Sequence, residues 1–176
     1  MADGTLKVGT ITNSAGSGNI TIGSGVTVNV NRPAFFAYLS SSQSITDDTL
    51  TKVQCDTELY DTDSCYDNST NYRFTPTEAG KYYFTLAVTS NAGAANLQES
   101  NIYFYKNGVA VSRALDNFDS NYANAVITTA NIVQEANGTT DYFEMYTLIN
   151  DTSGNPSVYG ESKIATYFGG YKIIGA

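Results

Sequence analysis

A chain of 176 residues with no histidine, nine Lys and Arg against seventeen Asp and Glu, and a net charge of −8 excludes several functions at once. Without His it lacks the usual general base, the usual activator of a Ser or Cys nucleophile and the commonest metal ligand, so no catalytic residues and no enzyme are expected. An acidic surface does not track phosphates, so a nucleic-acid partner is not expected either.

No apolar run approaches a membrane span, and residues 1–8 carry no apolar core of signal-peptide length. The sequence thus points to folding in a cytosol, without membrane insertion. A chain of this size forms one domain and buries roughly 70% of its unfolded surface. Charged residues make up only 15%, while Thr, Ser, Asn, Gly and Tyr abound, the composition of an all-β protein with polar strand faces and many turns.

In chain order, residues 1–31 form an arm rich in Gly, Ser, Thr and Asn, and residues 32–176 the domain proper. Within the arm, Ile20 and Ile22, then Val26, Val28 and Val30, alternate with polar residues and give each short run one narrow apolar face. A single copy cannot bury that face and reads as a disordered Gly/Ser leader; three copies about one axis bury it in a short β-stalk. Strands are expected over residues 34–39 and 50–55, with a loop over 40–44 between them. An acidic connection follows over residues 56–67. Asp61, Asp63 and Asp67 in it resemble a calcium loop, but that motif needs Gly where Tyr66 stands and Glu where Tyr72 stands, so a solvated loop is expected and no cofactor is assigned. Cys55 and Cys65 either pair across this loop or remain a buried apolar residue and an inert loop thiol.

Residues 68–71 are a polar turn cluster, 72–75 a short strand, and 76–80 a turn in which Pro76 breaks the ladder and Gly80 supplies φ > 0. From Lys81 the chain alternates: Tyr82, Phe84, Leu86 and Val88 on one face, Tyr83, Thr85, Ala87 and Thr89 on the other. After a connection at 91–100, strands at 102–106 and 109–113 flank Asn107-Gly108, a type I′ hairpin signal. A loop at 115–124, strands at 125–135, 142–149 and 164–174, and turns at Asn137-Gly138 and residues 151–156 complete the chain. Strands at this spacing, with no helical periodicity, define a two-sheet antiparallel sandwich or jelly roll. Two strands carry aromatics on both faces, Tyr103 and Tyr105 opposing Ile102 and Phe104, and Tyr142 and Tyr146 opposing Phe143 and Met145. A sandwich has one interior, so the second face calls for self-association, and these four tyrosines are the expected oligomer interface.

Tyr66, Asp67, Thr70, Phe74, Pro76, Gly80, Tyr82 or Tyr83, and Phe84 resemble the central signature of the complement C1q and tumour necrosis factor-like superfamily. Pro33-Ala34-Phe35, Lys106-Asn107-Gly108 and Phe168-Gly169-Gly170-Tyr171-Lys172-Ile173 follow that family's order. Asn71 departs from it, standing where the family usually has Gly; Asn tolerates the left-handed conformation such a turn needs. The resemblance implies a C1q/TNF-like jelly roll that assembles as a homotrimer, and a loop region that sometimes holds calcium. The arm has no Gly-X-Y period, which excludes a collagen-like stalk. Gly/Ser/Thr-rich β-arms leading into such knobs resemble virion proteins of tailed bacteriophages. The expected function is therefore a non-enzymatic homotrimeric virion-surface protein, made in the host cytoplasm and anchored by its arm to capsid or tail proteins. There it decorates and stabilises the capsid or forms a short fibre knob. The alternatives are a knob whose loops at 91–100, 115–124 and 151–156 attach to a host-surface glycan or protein, and a cellular soluble C1q-like binding protein.

Overall fold

The alternation that starts at Tyr82 builds the centre of the molecule. In the computed structural model, which describes residues 23–25, 32–161 and 164–173, Tyr82, Phe84, Leu86 and Val88 are fully buried. The chain divides into two units, Met1–Val30 and Asn31–Ala176. The arm residues Ile20, Ile22, Val26, Val28 and Val30 lie outside the described residues.

Among the described residues there is no helix, and the second unit is built of β1 (Ala34–Tyr38), β2 (Gln43–Ser44), β3 (Thr51–Lys52), β4 (Thr57–Asp61), β5 (Tyr66–Asp67), β6 (Arg73–Phe74), β7 (Ala79–Asn91), β8 (Leu97–Lys106), β9 (Val109–Asn117), β10 (Ala125–Asn137), β11 (Phe143–Asp151), β12 (Ser157–Val158) and β13 (Tyr167–Lys172). They form two antiparallel sheets. The first runs β2-β12-β7-β13-β1-β4 with β10 on the free side of β7; the second runs β5-β6-β11-β8-β9 with β3 against β11. This is the jelly-roll sandwich expected from the sequence.

Aromatic rings fill the space between the sheets. Phe84 lies 4.6 Å from Phe143 and 4.9 Å from Phe104 between ring centroids, and Phe35 stacks on Phe74 at 4.3 Å and meets Phe168 edge-on at 4.8 Å. Gly170 admits this packing, since a Cβ there would stand 2.6 Å from the Phe84 ring. The hairpin between β8 and β9 has Asn107 at φ 53° and Gly108 at φ 77°, the double positive φ of the expected type I′ turn. The Asn107 side chain also donates to Asp141 and accepts from the Tyr142 N–H, tying this hairpin to the β10–β11 turn.

Several boundaries differ from expectation. The acidic connection at 56–67 contains β4, which pairs with the edge of β1 through a bulge and keeps Leu59 and Tyr60 exposed, so burial leaves no local apolar pattern to read. The strand expected at 50–55 shrinks to β3, the loop at 40–44 contains β2, β8 begins already at Leu97, and β9 runs on to Asn117. In the polar turn the positive φ falls on Tyr72 (49°), not on Asn71. Asn71 instead donates its backbone and side-chain N–H groups to Asp67. Both cysteines are free and buried; Cys65 lies in the connection between β4 and β5, as expected of a loop thiol, and donates to the Asp63 carbonyl. Of the suspected calcium ligands, Asp61 accepts the Tyr66 N–H and Asp67 caps its own turn.

Asp67 gives the fold an acid-sensitive point. The N–H groups of Thr70 and Ser69 hold its carboxyl well below the usual carboxylate range. A depressed folded-state pKa contributes stability above the unfolded value and loses it as pH falls through the folded value. Asp67→Asn keeps an acceptor oxygen but not the charge, so the gap in denaturation midpoint between parent and variant should be largest at neutral pH and shrink below pH ~4.

Candidate functional site

Alternation leaves each sheet an outward face, and the two faces differ in chemistry. On the second sheet, Tyr103, Tyr105, Tyr142 and Tyr146 do come together on one surface. Tyr146 pairs directly with Tyr103 across β11 and β8, and its ring packs against Tyr105 at 4.5 Å. The surface is already dressed by the chain's own charges. The Arg73 guanidinium lies 4.5 Å from the centre of the Tyr142 ring, Arg113 lies 5.3 Å from that of Tyr103, and Lys52 lies 5.5 Å from that of Tyr146 while bonding Glu144 at 2.6 Å.

The first sheet faces outward with Ala34, Phe36 and Tyr38 of β1, Tyr167, Gly169 and Tyr171 of β13, and the odd-numbered residues of β7 and β10. Phe36 lies over Gly169, where a Cβ would meet its ring at 2.9 Å, and packs on Tyr167 at 5.1 Å; Tyr83 packs on Tyr171 at 5.4 Å. Across these four strands the outward rows carry charge only at Lys81 and Glu135, which pair at one end. Tyr171 remains 51% exposed, Ile127 56% and Val133 48%. Beside them β10 pairs only with β7, so its far edge of backbone groups has no strand partner among the described residues.

A third feature lies at one end of the second sheet's outer face. Asn150 pairs with Glu99 and Glu99 with Asn117, giving a row across β11, β8 and β9. Asp151 then pairs with Leu97, which leaves Gln98 as the extra residue of a bulge. Leu97 and Ser100 are buried, so Gln98 and Glu99 emerge consecutively on the same outer side. Gln98, Glu99, Asn117, Asp119 and Asn150 line a cavity of about 230 Å³. The loops singled out in the sequence at 91–100 and 115–124 converge here, next to the turn at 151–156.

The floor of the cavity is pinned from inside. Directly after the Glu99–Asn117 pair come Ser100 and Asp116, and a chain of hydroxyls runs from them through the sandwich. Thr128 donates to Asp116 at 2.6 Å, so its oxygen accepts from Ser100 (2.8 Å), whose oxygen accepts from Ser90 (2.7 Å). Four strands from both sheets are joined by these three bonds. Thr128→Val should cost about 1–3 kcal/mol, because Ser100 loses a buried acceptor that no water replaces; urea denaturation measures it, and an unchanged midpoint would remove the network's structural role.

Two stacked sheets in this strand order, with a core of aromatic rings and the polar loops at one end, define an antiparallel jelly roll. The chain belongs to the C1q domain family, whose model matches residues 34–173. Among solved structures it is similar to the globular domain of zebrafish complement 1qA, with 14% identity, a TM-score of 0.57, and coverage of 80% of this chain and 97% of that one. It is also similar to the Eiger TNF of S. frugiperda, at 8% identity and TM-score 0.61, with 84% and 96% coverage. Murine APRIL aligns at 11% identity and TM-score 0.55, with 81% and 99% coverage. At such identities the likeness shows the fold. No curated protein matches the chain. C1q/TNF-like domains are generally non-enzymatic binding or structural modules and commonly form homotrimers.

Proposed function

We propose that the chain is a non-enzymatic homotrimeric knob, carried on the surface of a tailed-bacteriophage virion by its N-terminal arm, where it decorates and stabilises the capsid or ends a short fibre. The observation that carries the trimer is the outward face of the first sheet. It is aromatic, almost free of charge, and continuous with the edge of β10 that has no strand partner among the described residues, so a second copy buries both the apolar patch and the edge. This face suits self-association better than the Tyr103, Tyr105, Tyr142 and Tyr146 surface, because burying the latter would also desolvate Arg73, Arg113 and Lys52. The virion setting rests on the arm, whose Gly/Ser/Thr-rich alternating runs lack a collagen period and suit a short anchor.

Two experiments separate the parts of this reading. A Val133→Glu, Tyr171→Glu double variant places charge on the first sheet's outer face and should sediment as a monomer; a trimer would move the interface elsewhere. Removing residues 1–31 should leave the assembled knob intact while abolishing its incorporation into particles; normal incorporation would end the anchoring role. A second reading, attachment to a host-surface glycan or protein, is favoured by the convergence of the 91–100 and 115–124 loops on one polar cavity.

A further inference from the structure

From the lining of that cavity we infer that it binds a single neutral sugar ring through adjacent hydroxyl groups, an inference that rests on the reading of the knob as a binding module. At about 230 Å³ the space lies below the roughly 300–1,000 Å³ of sites for larger ligands, which limits it to one small ring. Its walls are two carboxylates and three carboxamides, a composition that repels apolar ligands and offers no cation to an anion.

The hydrogen bonds already made by these side chains define what remains. Asn117 uses its side-chain oxygen to accept the Asp119 N–H, which leaves its NH₂ group as a donor. Gln98 donates to the Tyr122 hydroxyl and keeps its carbonyl oxygen as an acceptor. Glu99 takes the Asn101 amide and the Arg113 guanidinium on one oxygen, which fixes the carboxylate and leaves the other oxygen. Asn101 is itself fully buried and held by Arg113 at 2.6 Å, so the arrangement beneath Glu99 is rigid. Among the described residues no hydrogen bond engages the side chain of Asn150, which offers both a donor and an acceptor. Two amide donors set among several acceptors match neighbouring hydroxyls, each of which donates once and accepts twice. A metal ion fits less well: only two carboxylates line the cavity, and no group of three or more His, Cys, Asp or Glu side chains able to hold a metal occurs among the described residues.

The test is calorimetric titration of the full-length protein with the methyl glycosides of glucose, galactose and mannose, with N-acetylneuraminic acid as the anionic comparison. At least one neutral glycoside should bind, with chelator present, and more tightly than the anionic sugar. Asn150→Ala and Asn117→Ala should each weaken it by about tenfold or more, the worth of one or two hydrogen bonds. Glu135→Gln, beside the separate surface hollow formed by Gly80, Lys81, Glu135 and Ala136, should leave binding unchanged. The inference is overturned if no neutral glycoside binds, if N-acetylneuraminic acid binds best, if binding vanishes with chelator, or if both Asn variants bind like the parent. Light scattering on the same samples reports assembly separately. A trimer that binds no sugar removes only this inference, whereas a monomer that binds sugar removes the self-association reading and leaves the cavity standing.

Discussion

Replacing Phe84 with Ala is expected to remove about 3–5 kcal/mol of folding stability, the range for a buried Phe that leaves its cavity unfilled. Phe84 is fully buried, and its ring lies within 6.2 Å of five others: Phe143, Phe104, Phe74, Phe168 and Tyr82. These rings come from β6, β7, β8, β11 and β13, so they are held by both sheets and cannot close on the gap together. Because native domains are stable by only about 5–15 kcal/mol, the variant should populate unfolded chains measurably. Phe84→Leu, which keeps more of the volume, should lose less than half as much. Guanidinium denaturation decides between these outcomes, and equal losses for the two variants would contradict the central role given to this ring.

Gly138→Ala is expected to destabilise by more than about 2 kcal/mol, since it combines an unfavourable backbone conformation with a contact that cannot relax. Gly138 has φ +72°, where a Cβ already strains the chain. An added Cβ would lie 2.3 Å from the Ala79 nitrogen and 2.5 Å from the Glu78 carbonyl carbon, both backbone atoms at the start of β7. Movement there disturbs the Asn137–Ala79 pair at the end of the long β7–β10 ladder. It also disturbs Asn137, whose side-chain oxygen accepts the N–H groups of Thr139, Thr140 and Asp141. Gly154→Ala is the control, for it shares the left-handed φ (+73°) and has open space around its Cβ. The difference in thermal midpoint between the two variants measures the steric part, and no difference would show that the turn yields freely.

How much of this was legible follows from where each signal resides. The inward row Tyr82, Phe84, Leu86 and Val88 was written in strict alternation, and Asn107-Gly108 named its own turn, because both are local properties of the chain. β4 was not legible. Thr57, Glu58, Leu59, Tyr60 and Asp61 form an edge whose strand character comes from pairing with β1, and their burial follows no alternating pattern. The bulge at Gln98 depends on the register of β11 and leaves no mark in β8 alone, so the cavity it builds could not be located from the sequence, although two of its loops could.

The four tyrosines show the same boundary. Their outward direction was readable from parity, and the hairpin signal set Arg113 on the strand beside Tyr103, but their common sheet and the cations that β3 and β6 lay over Tyr146 and Tyr142 depend on pairings the sequence does not place nearby. The opposite face was visible in part, since Tyr83 already sat on the face opposite the inward row. The contact of Tyr83 with Tyr171, and the place of Phe36 beside Tyr167 on the same face, required the strand order of the first sheet.

Assembly of the knob through its own sheet face, independently of the arm, is the proposal on which the reading as a homotrimer depends. Its most direct test is the mass in solution, by light scattering, of the full-length protein beside a chain beginning at Arg32. Self-association through that face predicts three chains per particle for both, each full-length chain contributing 18.9 kDa. A monomer in both would contradict it, leaving the exposed row of Tyr171, Val133 and Ile127 as ordinary surface.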